Sequence, residues 1–337
     1  MNIKKIISML SAFCITAGVI SGCGDSKKSD DKKYNLDPKN PVAVTIWHYY
    51  NGVQQEKFDD AIINFNETVG REKGIVVEAY SKGSIDELSE SILASMRNDA
   101  GADEAPDMFA SYSDTAYKVD EMGCAVDISK YFTDEELNEY IDGYIEEGRI
   151  STDNSLKIFP TAKSTEVMIL NFTDWEKFAE SENVSTDDLK TWESVVDTAE
   201  KYYEYTDNLT PDIKNDGKAF FGRDSIANYM LVGAKQLGAE FVIQKDGKAV
   251  LNIDKDVVRR LWDNYYVPYV KGYFSAQSRY RSDDAKIGEI IALICSTSGS
   301  TYFPNTVTID DDYTYPIESL VMPVPNFEGT EPYIVQQ

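Results

Sequence analysis

"VAVTIWHYYNGVQQEKFDDAIINFNETVGREKGIVVEAYS", residues 42–81, decides the fold through its changes of period. Val42, Val44 and Ile46 alternate with Ala43 and Thr45, the two-residue period of a strand. A loop, "WHYYNGVQQE", follows. Phe58, Ile62, Phe65 and Val69 then recur at helical spacing on one face, and "GIVVEAYS" reads as a second strand. Leu88, Ile92 and Met96 mark a second helix, and "PDMFASYS" (106–113) a third strand entered through Pro106. This β-α-β-α-β order predicts a parallel sheet with right-handed crossovers. Binding loops then fall at the carboxyl ends of the strands.

Further on, Thr133 with Glu136 makes a capping box for one helix carrying Leu137, Tyr140, Ile141 and Tyr144. "SLKIFPTAKSTEVMILN" crosses through Pro160 into a second region. That region reads as mostly helices, "TWESVVDTAEKYYEY", "SIANYMLVGAKQLG" and "DVVRRLWDNYYVPYVKGYF", with one apolar strand in "EIIALICSTSGS". The stripe in "LWDNYYVPYVKGYF" has the spacing of a core face. No internal repeat is present.

The amino terminus has its own logic. Lys4 and Lys5 precede an apolar run from Ile6 to Ile20, shorter than the ~20 residues of a spanning helix. Residues 1–22 read as a secretory signal. The run ends in Ile20-Ser21-Gly22-Cys23, which resembles the bacterial lipobox, so Cys23 is expected to carry a diacylglycerol and a further acyl chain such as palmitate. More than one chain is needed for stable anchoring. Residues 24–40, rich in Ser, Asp, Lys, Asn and Gly, read as a flexible linker behind the lipidated cysteine.

About 300 residues remain after signal and linker, enough for two lobes with separate cores. A hydrophobic content of 42% and an aromatic content of 12% indicate a globular protein. The net charge of −25 repels nucleic acid and anionic lipid, and argues weakly against a highly anionic ligand. Cys124 and Cys295 lie far apart in sequence; a disulfide is compatible with an oxidising compartment, but two buried free thiols are the reading adopted. No C-x-x-C or Cys/His cluster suggests a metal, and no cofactor motif is present.

"VTIWHYYNGVQQEKFDDAIINFNE…GIVVEAYS", then "APDMFASYSDTAYKVDEMG", resembles the bacterial family 1 extracellular solute-binding proteins, the maltose-binding-protein-like receptors. "KIFPTAKSTEVMILNFTDWEKF" is similar to that family's crossover into the second lobe. "TWESVVDTAEKY" is similar to the helix start that follows, and "IALICSTSGSTYF" to a strand and loop that present a binding edge. Each motif is weak alone; in this order, behind a lipobox, they are specific. The resemblance spans residues 42–335. It implies an α/β, two-lobed periplasmic-binding-protein fold (type II-like), each lobe a mixed or parallel sheet flanked by helices. Lobe 1 is expected over 41–160 and lobe 2 over 161–332, with a hinge near 160–166. Residues 333–337 are expected to begin a return to lobe 1, whose C-terminal helices and part of whose sheet would come from a missing piece of the chain. The implied function is a monomeric, lipid-anchored receptor outside the cytoplasm. It closes on a carbohydrate between its lobes and hands it to the permease of an ABC importer.

Sugar recognition needs flat apolar faces for a pyranose and polar groups that satisfy hydroxyls, since unpaired polar groups cost about 1–3 kcal/mol each. After the first strand stand Trp47, His48, Tyr49 and Asn51, with Trp47 alternatively packing under the loop. His48, the only histidine, reads as a hydrogen-bonding loop residue rather than a catalyst or metal ligand. Tyr80 and Ser81 end the second strand; Ser111, Tyr112, Ser113 and Asp114 end the third. Asp114 matches the family's aspartate that hydrogen-bonds sugar hydroxyls, or is a helix N-cap. Lys163, Thr165 and Glu166 sit at the crossover, where the family often places a ligand carboxylate; a Lys163–Glu166 ion pair is the plainer reading. Arg223 and Asp224 either clamp hydroxyls or bridge each other, with Asp224 or Ser225 capping the next helix. Ser296, Thr297, Ser298 and Gly299 form a backbone-rich binding edge or an ordinary turn.

The rival readings are few. One histidine leaves no Ser-His-Asp set, and no Walker loop is present, so the protein is not read as an enzyme. A carboxylate-based glycoside hydrolase is the enzymatic alternative. "DIKNDGKAFFGR" fails as an EF-hand because Lys214 and Arg223 occupy ligand positions. Within the same fold, a polyamine, a ferric ion held by Tyr49, Tyr50, Tyr80 and Tyr112, or another small solute is the alternative ligand. A receptor that reports its ligand to a membrane kinase is the alternative role.

Overall fold

The parallel pairing expected of the first 110 residues is observed. The computed structural model describes residues 34–246 and 248–336. The signal, Cys23 and the linker as far as Lys33 lie outside these. The chain divides into two units between Phe159 and Pro160, and each is described separately.

In the first unit β1 (Val42–His48) lies between β2 (Ile75–Ser81) and β3 (Met108–Phe109), parallel to both. Helix α1 (Gly52–Phe65) runs on through a π turn, Asn66–Gly70, into Arg71–Lys73. The π turn sets Asn66 against β2. Its amide accepts from Val77 N (2.8 Å) and donates to Val77 O (2.9 Å), satisfying an edge-strand peptide as a neighbouring strand would. Gly70 is required here, because a Cβ would meet the Ile75 carbonyl oxygen at 2.5 Å. Ser84 and Glu87 form a capping box at the start of α2 (Ile85–Met96), whose Leu88 and Ile92 pack with Trp47 and with Val119 of α3 (Ser113–Glu121).

Several expectations for this unit need correction. The third strand spans two residues rather than 106–113, because the backbone leaves the sheet after Phe109 and Ser113 already begins α3. The helix expected after Thr133 is two: the capping box starts α4 (Asp134–Leu137), and Ile141 is extended before α5 (Asp142–Glu147). Val69 is exposed rather than on the packed face, the π turn having rotated it away. The described end of the expected linker, residues 34–40, contains a turn in which Asp37 accepts from Lys39 N and Asn40. Cys124 is exposed, not buried; Cys295 is buried, and both are free thiols.

The second unit is built on a mixed sheet in the order β11-β4-β8-β5. Its strands are β4 (Glu166–Asn171), β5 (Phe221–Arg223), β8 (Ala292–Ser296) and β11 (Ser319–Met322), with β4 antiparallel to both neighbours and β5 parallel to β8. Two antiparallel pairs, β6 (Val242–Lys245) with β7 (Lys248–Leu251) and β9 (Thr306–Thr308) with β10 (Thr314–Pro316), complete the strands. This is more strand than the single one expected, since these pieces are too short to show a period. The helices are α6 (Phe172–Glu182), α7 (Trp192–Asn208), α8 (Ile226–Gln236), α9 (Lys255–Val270) and α10 (Arg281–Lys286). Trp175, Phe178, Trp192, Tyr202, Phe220 and Tyr229 dominate the core. Phe178 meets Tyr202 edge-on at 5.2 Å and Trp192 meets Tyr229 edge-on at 4.9 Å, the arrangement ring quadrupoles favour. The stripe on α9 is core only in part: Leu261 and Pro268 are buried, but Trp262, Tyr266 and Tyr269 are exposed.

Candidate ligand-binding site

Parallel pairing brings the carboxyl ends of β1, β2 and β3 to one edge of the first unit. Trp47 is buried in the core beneath Lys82, whose Nζ lies 3.8 Å from the ring centroid, so it packs under the loop. His48 is also buried. Its ring stacks on Tyr50 (5.3 Å) and meets Phe58 edge-on (4.9 Å), while Nδ1 accepts a hydrogen bond from Tyr50 N (3.1 Å). That bond requires the neutral ring with its proton on Nε2. Burial pulls the imidazole below its ordinary value, against the opposing charge of Asp59.

Tyr49 and Tyr112 are drawn together, their ring centroids 6.3 Å apart and tilted at 50°. Burial, and after it the neighbouring Tyr112 phenol, push the Tyr49 phenol up, and burial does the same to Tyr50. Asn51 precedes α1 without a side-chain cap. Tyr80 donates to Glu78 (2.7 Å), and Ser81 to Tyr50 O (3.1 Å). Ser111 donates to Tyr112 O (2.7 Å), and Ser113 opens α3. Asp114 is not an N-cap: Tyr112 holds that position, and Asp114 is an exposed first-turn residue 3.7 Å from Lys118.

In the second unit the amino end of β4 meets the carboxyl ends of β8 and β5, with Glu166 opposite Ser296 and Arg223 opposite Ile294. Glu166, Arg223, Asp224, Thr165 and residues 296–299 therefore share one sheet edge. Arg223 and Glu166 form a buried ion pair, and Asn228 donates to the second carboxylate oxygen (3.1 Å). Arg223 Nε donates to Ser225 O (2.8 Å), and the guanidinium lies 5.8 and 5.9 Å from the Trp192 and Tyr229 rings. Burial lowers the Arg223 value and the Glu166 charge resists.

Asp224 does not bridge Arg223. One oxygen accepts from Arg281 N (2.9 Å), and the side chain remains 34% exposed; burial raises its value against that bond. Ser225, not Asp224, caps α8. Arg281 is itself buried on Asp284 (2.7 Å), which also accepts from Ser278 N and Gln277 N.

Residues 296–299 form a turn stitched by its own hydroxyls. Ser296 accepts from Gly299 N (3.0 Å) and bonds Ser298, while Thr297 bonds Ser164 (2.8 Å) and donates its amide to Thr165 O (2.8 Å). Thr165 donates to Val335 O (2.8 Å); Lys163 is half-buried nearby in sequence. Sequence reasoning missed Asn228, Arg281 and Asp284. Asn228 stands three residues beyond the Ser225 cap, and "RSDD" places Arg281 and Asp284 at helical spacing; both signals were local.

Each edge thus offers neutral hydrogen-bonding groups beside an exposed carboxylate, Asp114 in one unit and Asp224 in the other. Among the described residues no group of three or more His, Cys, Asp or Glu is arranged to hold a metal, and no helix is long and apolar enough to cross a membrane.

Residues 61–327 match the family model of the bacterial extracellular solute-binding proteins. No curated protein matches the chain. Among solved structures, the cyclic α-maltosyl-1,6-maltose binding protein of Arthrobacter globiformis is 16% identical with a TM-score of 0.62, over 88% of this chain and 69% of that one. The galacto-N-biose/lacto-N-biose I-binding protein of the Bifidobacterium longum ABC transporter, solved with lacto-N-biose, is 14% identical with a TM-score of 0.64, over 89% and 71%. UgpB of Mycobacterium tuberculosis, solved with glycerophosphocholine, is 14% identical with a TM-score of 0.65, over 88% and 68%. At these identities the likeness is one of fold: α/β, in two lobes.

Proposed function

The chain belongs to the bacterial extracellular solute-binding proteins, and from that membership we propose that it is a lipid-anchored, monomeric receptor that binds a carbohydrate and delivers it to an ABC permease. An extracytoplasmic location and a solute-binding role follow from that membership.

The observation that carries the choice of ligand is the Tyr49–Tyr112 pair. Both rings stand at the strand ends of the first unit, 6.3 Å apart, and burial keeps the Tyr49 phenol protonated. Neutral phenols give a pyranose both a flat apolar face and hydroxyl partners. The arginines at the sheet edge of the second unit support a neutral ligand too. Arg223 and Arg281 are buried in ion pairs, so neither is offered to a phosphate or carboxylate. Two of the structures sharing the fold are named for saccharides, which agrees with this reading.

The test is a thermal melt against a panel of mono- and oligosaccharides, glycerophosphocholine, spermidine and ferric citrate. A ligand at a hundredfold over Kd adds about 2.7 kcal/mol to a folded receptor. An upward shift with one saccharide class is expected. A shift with a non-saccharide alone overturns the carbohydrate assignment.

A further inference from the structure

Helix α9 turns a second face to solvent that the sheet edges do not explain. Lys255, Arg259, Trp262 and Tyr266 recur at intervals of four, three and four, opposite the buried Val257, Leu261 and Pro268. Trp262 is 50% exposed and Tyr266 46%. Single exposed aromatics are ordinary on protein surfaces, but Tyr269 and Val270 continue this stripe into a patch.

The patch is built rather than merely apolar. The Trp262 and Tyr266 rings lie 4.0 Å apart at 36°, which fixes the indole before any ligand arrives. One turn away, Arg259 Nε reaches both oxygens of Asp263 (2.9 and 2.7 Å). The pair sets a planar donor group beside a planar acceptor group. A shallow depression, open to solvent, is lined by Lys255, Val258, Arg259, Trp262, Asp263 and Val267.

Charge selects the occupant. Lys255 and Arg259 are offset by Asp256 and Asp263, so this face is near neutral on a chain of net charge −25. An anionic membrane or nucleic acid gains nothing there. A pyranose fits both parts, its C–H face on the indole and its hydroxyls on the Arg259–Asp263 fork. We propose that α9 carries a second carbohydrate site, an open surface platform for one sugar ring of a soluble oligosaccharide. It is independent of the sheet-edge site.

The tryptophans themselves supply the experiment. Of the four in the chain, Trp47, Trp175 and Trp192 are buried, so acrylamide quenching of the folded protein reads Trp262. Maltohexaose, xylohexaose and cellohexaose are titrated into the full chain, with anionic phosphatidylglycerol vesicles as the competing occupant. At least one hexasaccharide is expected to shield the quenchable emission. Arg259→Ala should weaken that shielding about tenfold, and Tyr112→Ala, at the other site, should leave it intact. Trp262→Phe must abolish the quenchable emission, which identifies the reporter. Absence of shielding by all three sugars overturns the proposal, as does shielding by vesicles alone or shielding lost in Tyr112→Ala. A receptor whose melt no sugar moves, yet whose Trp262 is shielded, loses the proposed function and keeps this site.

Discussion

Glu166 and Arg223 face each other across β8, their side chains 6% and 2% exposed, the carboxylate on the first residue of β4 and the guanidinium on the last of β5. A buried pair is sustained by mutual neutralisation, so removing one partner strands the other. Arg223→Met should cost about 3–5 kcal/mol in urea unfolding, and Glu166→Met added to it should recover most of that loss. A cost below about 1 kcal/mol for the single change would mean that Glu166 is free to reach solvent or ligand.

The single histidine makes one part of the acid response readable. His48 has its folded value depressed by burial, so between that value and the unfolded ~6.5 the unfolded chain binds the extra proton. Its contribution is present above pH ~6.5 and is lost as pH falls toward the folded value. Urea midpoints at pH 7.5 and 5.5 should therefore drop on acidification, and His48→Gln should flatten the drop even if the variant is weaker at both. An unchanged slope would show that the imidazole is solvated. Asp107, lowered chiefly by the Thr45 amide, acts in a separate window near and below pH ~4.

The two described cysteines should react oppositely. Burial pushes the Cys295 thiol up to about 12, while Cys124 is exposed. Iodoacetamide at pH 8 should modify the Cys124 peptide in the folded protein and the Cys295 peptide only after unfolding. Equal labelling of both peptides before unfolding would contradict the burial of β8.

Adjacent residues test cap against core. Thr191 caps α7 through Ser194 N (3.2 Å), and Thr191→Ala should cost about 1 kcal/mol. Trp192, buried beside Phe221 and Tyr229, should cost about 3–5 kcal/mol as Trp192→Ala. Matching losses in the two variants would place the indole outside the core.

Anchoring is tested at Cys23. Cys23→Ser should move the protein from the membrane to the soluble fraction; continued membrane association would count against lipidation.

The elements with a long, clean period were legible in the sequence. Val42/Val44/Ile46 gave β1, and Leu88/Ile92/Met96 gave α2. Short or interrupted elements were not. β11 is four residues, and its place depends on pairing with β4 from a distant part of the chain, which no local pattern encodes. The helix after Thr133 broke because Ile141, apolar and at helical spacing, adopts an extended backbone. At the sheet edges the residue types were visible but their partners were not. Glu166, read as a ligand carboxylate or a partner of Lys163, bonds Arg223 and Asn228, since tertiary pairing across β8 selects the partner.

The position of β4 bears on how the second unit is made. Met168, Ile169 and Leu170 are wholly buried in the finished sheet, yet the strands that flank β4 are residues 292–296 and 319–322. A chain emerging from a ribosome or translocon presents this apolar strand long before either partner exists. Pairing of such sequence separation is slow and leaves unpaired edges exposed meanwhile. In the first unit, by contrast, β1 meets both strands it pairs with by residue 109. Within the second unit, then, β4 is the strand that a holding chaperone would have to shield longest.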